Sequence, residues 1–512
     1  MSRISIQQAM QLAVGHHQAG RLRDAEMIYR QILAAQPNHP DALHLMGVLA
    51  SQCGQGQVGV DLIGRAISLN PNDAHYRSNF GQVLLNAGKP NEAVVALRKA
   101  VEMDPNLAGA WNNLGNALIE LRQFSQAVDA YMRAINIVPD FAEAHSNLGN
   151  ALKELGQLDQ AIVSIRKSIE LRPDLLASHN NLGMCLRQTG QYAEAAEAYR
   201  KAIALKPGLA ITHYNLAVTL LVQGQFEEGL AEYEWRWQAP QIGLSRPAFS
   251  QPQWDGADPA GKRVLVYAEQ GFGDTIQFVR YLPLLAERGA KITLQCQPQL
   301  KRLLQRSGGV ERIITLKEEP GELDLHCPLL SLPYFFKTTV ETIPSCDSYL
   351  TAEPELVSQW STRLEQYSSP LEVGLVWAGR PEHQNDRNRS VSLDELQPLR
   401  QVADVTFLCL QTGDVNRQDW LIDITAGMDD FAQTAAAIQN LDLLITVDTA
   451  VAHLAGALGK PVWLLLPFSP DWRWLLNRDD SPWYPSMRLF RQPRIGDWET
   501  PIRRIIEELS RL

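Results

Sequence analysis

Three stretches of this chain put groups that can hold phosphate or move a proton at the ends of apolar runs. Glu269 to Phe278, EQGFGDTIQF, follows Val264-Leu265-Val266-Tyr267 and sets Gly271, Gly273 and Asp274 where a strand stops and a helix starts. The glycines would let the backbone come close to a ligand, with a carboxylate beside it. The alternative is that Asp274 caps the helix. In the second stretch, LDLLITVD delivers Asp448 and Thr449 to the start of a helix that continues Ala450-Val451-Ala452-His453. The N–H groups of such a helix start, with a threonine hydroxyl, suit a diphosphate, and His453 could add a charge or a hydrogen bond. The same residues also read as a capping aspartate and a core histidine. The third stretch, Trp377 to Ser390 (WAGRPEHQNDRNRS), brings several guanidinium forks beside another strand end, where they match phosphate oxygens. A solvated charged loop is its bland alternative. By position alone, Gln411 and the pair Phe431 and Thr434 join this group, and Asp324 and His326 are second-rank candidates that read equally as core or turn packing.

The elements that must carry these residues alternate in type. RVLVYAE, IQFVRYLPLLAER, KITLQC, RIITL and LDLHC form one series, and LEVGLVWAG, VTFLCLQ, FAQTAAAIQ, LDLLITVD, TAVAHLAGALG and PVWLLLP a second. Short apolar runs between amphipathic ones predict parallel sheets built of βαβ units. Two doubly wound domains in tandem, residues 263–365 and 366–512, would enclose a cleft between two sets of strand ends, where such sheets bind ligands. TPIRRIIEELSRL predicts a closing helix.

The first half obeys another rule. Pro37, Pro71, Pro105, Pro139, Pro173 and Pro207 recur every 34 residues, with small residues and aromatics in the same register. This period resembles a tetratricopeptide array: six repeats over residues 6–209 and a divergent seventh from 210 to 237, a helical solenoid over residues 1–237. Asn79, Asn113, Asn147, Asn181 and Asn215 form one column. It reads equally as an amide wall for an extended peptide and as contacts between neighbouring repeats; its resemblance to the ladder with which O-GlcNAc transferases bind protein substrates favours the first. Residues 238–262 are rich in Trp and Pro, and Trp235, Trp237 and Trp254 are expected to pack the array onto the second half of the chain.

Composition narrows the classes. A net charge of -10 argues against a general nucleic-acid binder, and the six cysteines show neither a C-x-x-C pair nor zinc spacing. No run reaches the ~18 apolar residues of a membrane span, and no signal peptide is evident, so the expected location is cytoplasmic. The oligomeric state is left open, a homo-oligomer included.

The stretches GFGDTIQFVRYLP, HCPLLSLP, VGLVWAGRPEHQNDRNRS, VDTAVAHLAGALGKPVW and DWRWLLNRDDSPWYPSMRLFRQ resemble glycosyltransferases of the GT-B architecture, in particular the heptosyltransferase-like family 9. The whole chain resembles bacterial tetratricopeptide-repeat glycosyltransferases. The fold class implied is α plus α/β, a solenoid followed by a GT-B pair of Rossmann-like domains. The resemblance implies an inverting transfer from a nucleotide sugar. Asp274 would be the general base, and Arg389, Asp448, Thr449, Ala450, Val451 and His453 would form the donor side, His453 with a catalytic part and Arg389 standing where the family usually keeps a lysine; Trp377, Gly379 and Gln411 join them by position. The asparagine column and His326 would serve a protein or peptide acceptor. No D-x-D triplet occurs, so no metal or other cofactor is expected, and phosphate charge would fall to the helix N-terminus, Arg389 and His453. The alternatives are an inactive scaffold that binds nucleotide and a transferase acting on a glycan or lipid-linked acceptor.

Overall fold

The computed structural model describes residues 5–367, 369–381, 385–413 and 418–512. From Ile6 to Tyr233 the described residues form paired helices, opening with Ile6–Gln18 and Leu22–Ala35 and closing with Ala210–Val222 and Phe226–Tyr233. Each periodic proline stands two residues past the end of a second helix, where its missing N–H costs nothing and its ring prevents continuation. The proline carbonyls are then used, five of them in one register and that of Pro37 by Arg65. Arg77, Trp111, His145, His179 and His213 each bond the carbonyl of the proline six residues earlier, at 2.7 to 3.1 Å. The small-residue column serves close packing: a Cβ on Gly115 would overlap the Tyr131 ring of the paired helix.

The chain divides into two compact units, one running to Thr189 with Ala204–Lys206, the other comprising Gly190–Ile203 and Pro207–Leu512. The last helices of the array therefore belong with the α/β region. In this second unit Leu221, Phe226 and Tyr233 share one buried core with Trp254, Phe278, Trp472 and Trp483.

Two parallel sheets complete the second unit. The first has strands β1 (Arg263–Tyr267), β2 (Lys291–Cys296), β3 (Arg312–Thr315) and β4 (Leu325–Pro328) in the order β3-β2-β1-β4. The second has β5 (Leu371–Val376), β6 (Val405–Cys409), β7 (Leu421–Asp423), β8 (Leu443–Val447), β9 (Val462–Leu466) and β10 (Met487–Arg491) in the order β10-β9-β8-β5-β6-β7. In each sheet the chain starts at a central strand, runs one way and returns to the other side of it. The loops after β1, β5 and β8 thus stand at topological switch points, where adjacent connections diverge and leave a crevice.

β7 and β10 are not legible as strands: the first has only three residues, and the second, MRLFR, puts arginine between its apolar positions. The run expected as one helix, IQFVRYLPLLAER, is broken. Phe272–Phe278 is α-helical, Val279–Tyr281 a 3-10 turn and Leu282–Glu287 a second helix, because Pro283 cannot donate to the turn before it. The closing helix runs Glu499–Leu509.

The joint is packed. Trp254 is buried against Phe335 and Phe336, Trp235 stacks on His213 with centroids 4.0 Å apart, and Trp237 lies 6.4 Å from Tyr267. Arg236, wholly buried, bonds Glu269 at the end of β1 through Nε and Nη2, and Ser331 and Glu234 besides. No described helix is long and apolar enough to cross a membrane.

Candidate active site

The loop after β1 and the helix after β8 meet. Gly273 lies against His453 so closely that a Cβ there would come within 2.7 Å of the imidazole Cδ2. Glycine at 273 is thus required by a side chain of the second sheet's helix.

Asp274 does cap its helix: its Oδ2 accepts from the Gly271 N–H at 2.8 Å. Its Oδ1 is paired with Arg473, from the turn after β9. The carboxylate is therefore fixed from two directions, and its side chain keeps 19% of its surface exposed.

Thr449 is the N-cap residue of the Ala450–Ala457 helix, in extended conformation. The first N–H groups of any helix have no partner within it. Asp448, just before, is largely buried, and its carboxyl is pushed up to about 6, by burial first and then by the charge of Asp471, against the pull of Arg389 and Arg473. His453 shares a hydrogen bond of 2.9 Å between Nδ1 and the Tyr484 hydroxyl, while Nε2 faces Asp448 Oδ1 at 3.9 Å. Its ring stacks on Trp474 at 5.2 Å. Burial, with the charges of Arg473, Arg280 and Arg389 nearby, holds the imidazole well below its ordinary range. Of the two roles expected of it at a phosphate, a charge or a hydrogen bond, these surroundings favour the hydrogen bond.

Arg389 donates from Nη1 to the Asp448 carbonyl at 2.9 Å and from Nε to Asp386 at 3.3 Å. Its guanidinium crosses directly over Gly379, where a Cβ would overlap Nη2. The Gly379 N–H donates to Ser390 Oγ at 3.0 Å, which closes the base of the loop. Residues 382–384 of that loop lie outside the described residues.

Other expected residues are placed differently. The Trp377 indole is buried with Val391 and Phe490 in the core of the second sheet, so it packs and cannot stack on a ligand. Gln411 Oε1 accepts from the Trp377 and Ala378 N–H groups at 3.2 and 3.0 Å, tying the ends of β5 and β6 together. The Phe431 ring lies 4.9 Å from Phe272, and the Thr434 hydroxyl donates to the Asp430 carbonyl. Asp324 falls at the opposite edge from the cleft, bonded to Arg263 at the start of β1, which holds its carboxyl at about 2. His326 is buried on β4 beneath Phe249, at 4.8 Å, so the joint covers the ring expected to meet an acceptor. In the array, Asn79 bonds His44 at 2.9 Å, and Asn147 bonds Asn112 and Asn116 at 3.0 and 3.1 Å. These two members of the column contact the preceding repeat.

Arg473, Arg236 and Tyr484 are not legible in the sequence as parts of a site. Arg473 and Tyr484 lie inside the stretch DWRWLLNRDDSPWYPSMRLFRQ, which carries part of the resemblance, but nothing in the order of residues says which arginine turns inward.

Tetratricopeptide models match residues 140–207 and 210–235, a TPR repeat model matches 81–121 and 115–156, and the model of glycosyltransferase family 9 (heptosyltransferase) matches 417–466. The chain joins a tetratricopeptide array to an α/β region of which residues 417–466 are similar to glycosyltransferase family 9. The family 9 match includes β8, Asp448 and the whole Ala450–Ala457 helix, and leaves the first sheet outside it. Protein FlbA of Caulobacter vibrioides is 29% identical over 298 residues, and this chain spans 49% of that protein's length. Among solved structures, YrrB, described as a TPR protein with an unusual peptide-binding site, is 25% identical, covers 34% of this chain and 91% of its own, with a TM-score of 0.30. PilF of Pseudomonas aeruginosa is 17% identical, covers 40% and 92%, with a TM-score of 0.36.

Proposed function

We propose that this chain is a metal-independent, inverting glycosyltransferase that takes a sugar from a nucleotide sugar and passes it to a protein or peptide acceptor held by the array. The observation that carries the reading is the meeting of Gly273 and His453, which brings a partly exposed carboxylate, Asp274, to the same crevice as the N-terminus of the Ala450–Ala457 helix and Arg389. The donor diphosphate would lie on the N–H groups of Ala450 and Val451 and the Thr449 hydroxyl, with Arg389 beside it. The acceptor hydroxyl or amide attacks the anomeric carbon, the bond from that carbon to the phosphate oxygen breaks, and the nucleoside diphosphate leaves. Asp274 takes the acceptor's proton; each carboxylate oxygen has a second lone pair beyond the bonds to Gly271 and Arg473. His453, whose surroundings disfavour its charged form, serves as a hydrogen-bonding wall. The concave face of a helical solenoid is the surface such arrays use for extended partners, which supports a protein or peptide acceptor.

The test is a thermal-shift panel of UDP-, GDP- and ADP-sugars and the free diphosphates against the full chain and Asp448→Ala. A rise in melting temperature with one nucleotide class, lost in the variant, is expected. A cooperative melt that no nucleotide moves would overturn the proposal.

A further inference from the structure

Among the described residues, Arg473 ties the candidate base to the second sheet's domain from across the crevice. It sits in the 3-10 turn Trp472–Trp474, with only 8% of its side chain exposed. Its three nitrogens are all committed: Nε to Gln277 Oε1 at 2.6 Å, Nη1 to Asp471 Oδ1 at 2.8 Å, and Nη2 to Asp274 Oδ1. The guanidinium also lies 4.7 Å over the Trp472 ring. Two costs accompany this arrangement. Gln277 turns its oxygen to Arg473 and leaves its own Nε2 buried without a partner. Immediately after the turn, Leu475 adopts φ 48°, a conformation unfavourable for a side chain with a Cβ. Strain and an unpaired donor gathered around one side chain mark a constraint beyond packing.

We propose that Arg473 is a positioning residue: it holds Asp274 in the one orientation in which the carboxylate faces an acceptor, and acts on transfer only through Asp274. The inference rests on the reading of Asp274 as general base. Asp274 Oδ2 is anchored within its own helix cap, by the Gly271 N–H. Arg473 anchors Oδ1 from a different domain, so the direction of the carboxylate depends on the closed relation of the two strand ends. Lysine cannot take over, since one ammonium cannot span Gln277, Asp471 and Asp274 in the geometry of a planar fork.

The experiment uses the full chain and measures hydrolysis of UDP-, GDP- and ADP-sugars, with water as the attacking acceptor whose proton Asp274 takes and nucleoside diphosphate and free sugar as products, in Arg473→Met, Arg473→Lys, Asp274→Asn and the double variant Asp274→Asn/Arg473→Met. Expected are a fall in kcat of about 100-fold in R473M and at least about 10-fold in R473K, with donor KM and the nucleotide-induced thermal shift unchanged. The double variant should be no slower than D274N alone, because two residues acting through one group are not additive. R473M with wild-type kcat, a loss confined to donor KM, or a double variant well below D274N would each overturn the inference while leaving the function reading intact. R473K is the control for folding, since it keeps the buried positive charge beside Asp274 and Asp471. A wild-type chain that binds nucleotide but releases none from any donor would overturn both.

Discussion

Gly273 and His453 are in van der Waals contact, with no room for even a methyl group between the helix backbone and the imidazole. One residue lies just past the first strand of the first sheet and the other just past the fourth strand of the second, so the two stretches of the sequence are brought into contact. Replacing Gly273 by alanine forces the ring, held by Tyr484 and Trp474, to move. We expect Gly273→Ala to lose about 1–3 kcal/mol of stability to overpacking and most nucleotide binding, as read by urea unfolding and thermal shift.

Asp448 gives a pH signature. Its carboxyl is raised from 3.8 to about 6, so between these values the native state holds more protons than the unfolded one, and this group costs stability as pH rises through that window. Asp448→Asn cannot ionise and escapes the cost. Its stability relative to the wild type should rise by up to about 3 kcal/mol between pH 4 and pH 7, measured by denaturant unfolding at each pH. A flat difference would place the ionisation elsewhere.

Arg389 is the cation expected to meet the leaving diphosphate. Arg389→Ala should weaken nucleoside diphosphate binding by about 10–100-fold, the worth of one charged hydrogen-bonding group, with a change in melting temperature of no more than a few degrees. Arg389→Lys should recover part of the affinity. Calorimetric titration distinguishes the three.

The buried pair of Arg236 and Glu269 fastens the end of β1 to the turn just past the array's last helix. Burial pushes the Glu269 carboxyl up to about 7 in spite of Arg236. Arg236→Met should cost up to about 3–5 kcal/mol at pH 8, where the buried Glu269 must either stay ionised without its partner or take up a proton, and less at pH 5, where Glu269 carries a proton already. Urea midpoints at the two pH values test this.

Asn147 makes two bonds to the preceding repeat, to Asn112 and Asn116. Asn147→Ala should destabilise the array by about 1–2 kcal/mol by leaving polar partners unsatisfied. A variant as stable as the wild type would return this position to the ligand wall.

The array and the alternation of strands with helices were legible in the order of residues, because a 34-residue period and an apolar run are local patterns that one packing arrangement satisfies. So were the glycine loop and the helix after LDLLITVD, since a strand end followed by small residues and an aspartate makes a turn wherever it lies. What the sequence by itself could not decide was direction. Trp377 turned into the core, His326 went under Phe249, and Asp324 stood at the wrong edge of its sheet. His453 came to lie among arginines that disfavour its charge, and Arg473 reached across to Asp274 from 199 residues away. Burial and long-range pairing belong to the folded chain: whether an imidazole is neutral or a carboxylate paired depends on which distant groups exclude water from it, and only the tertiary structure brings those groups together.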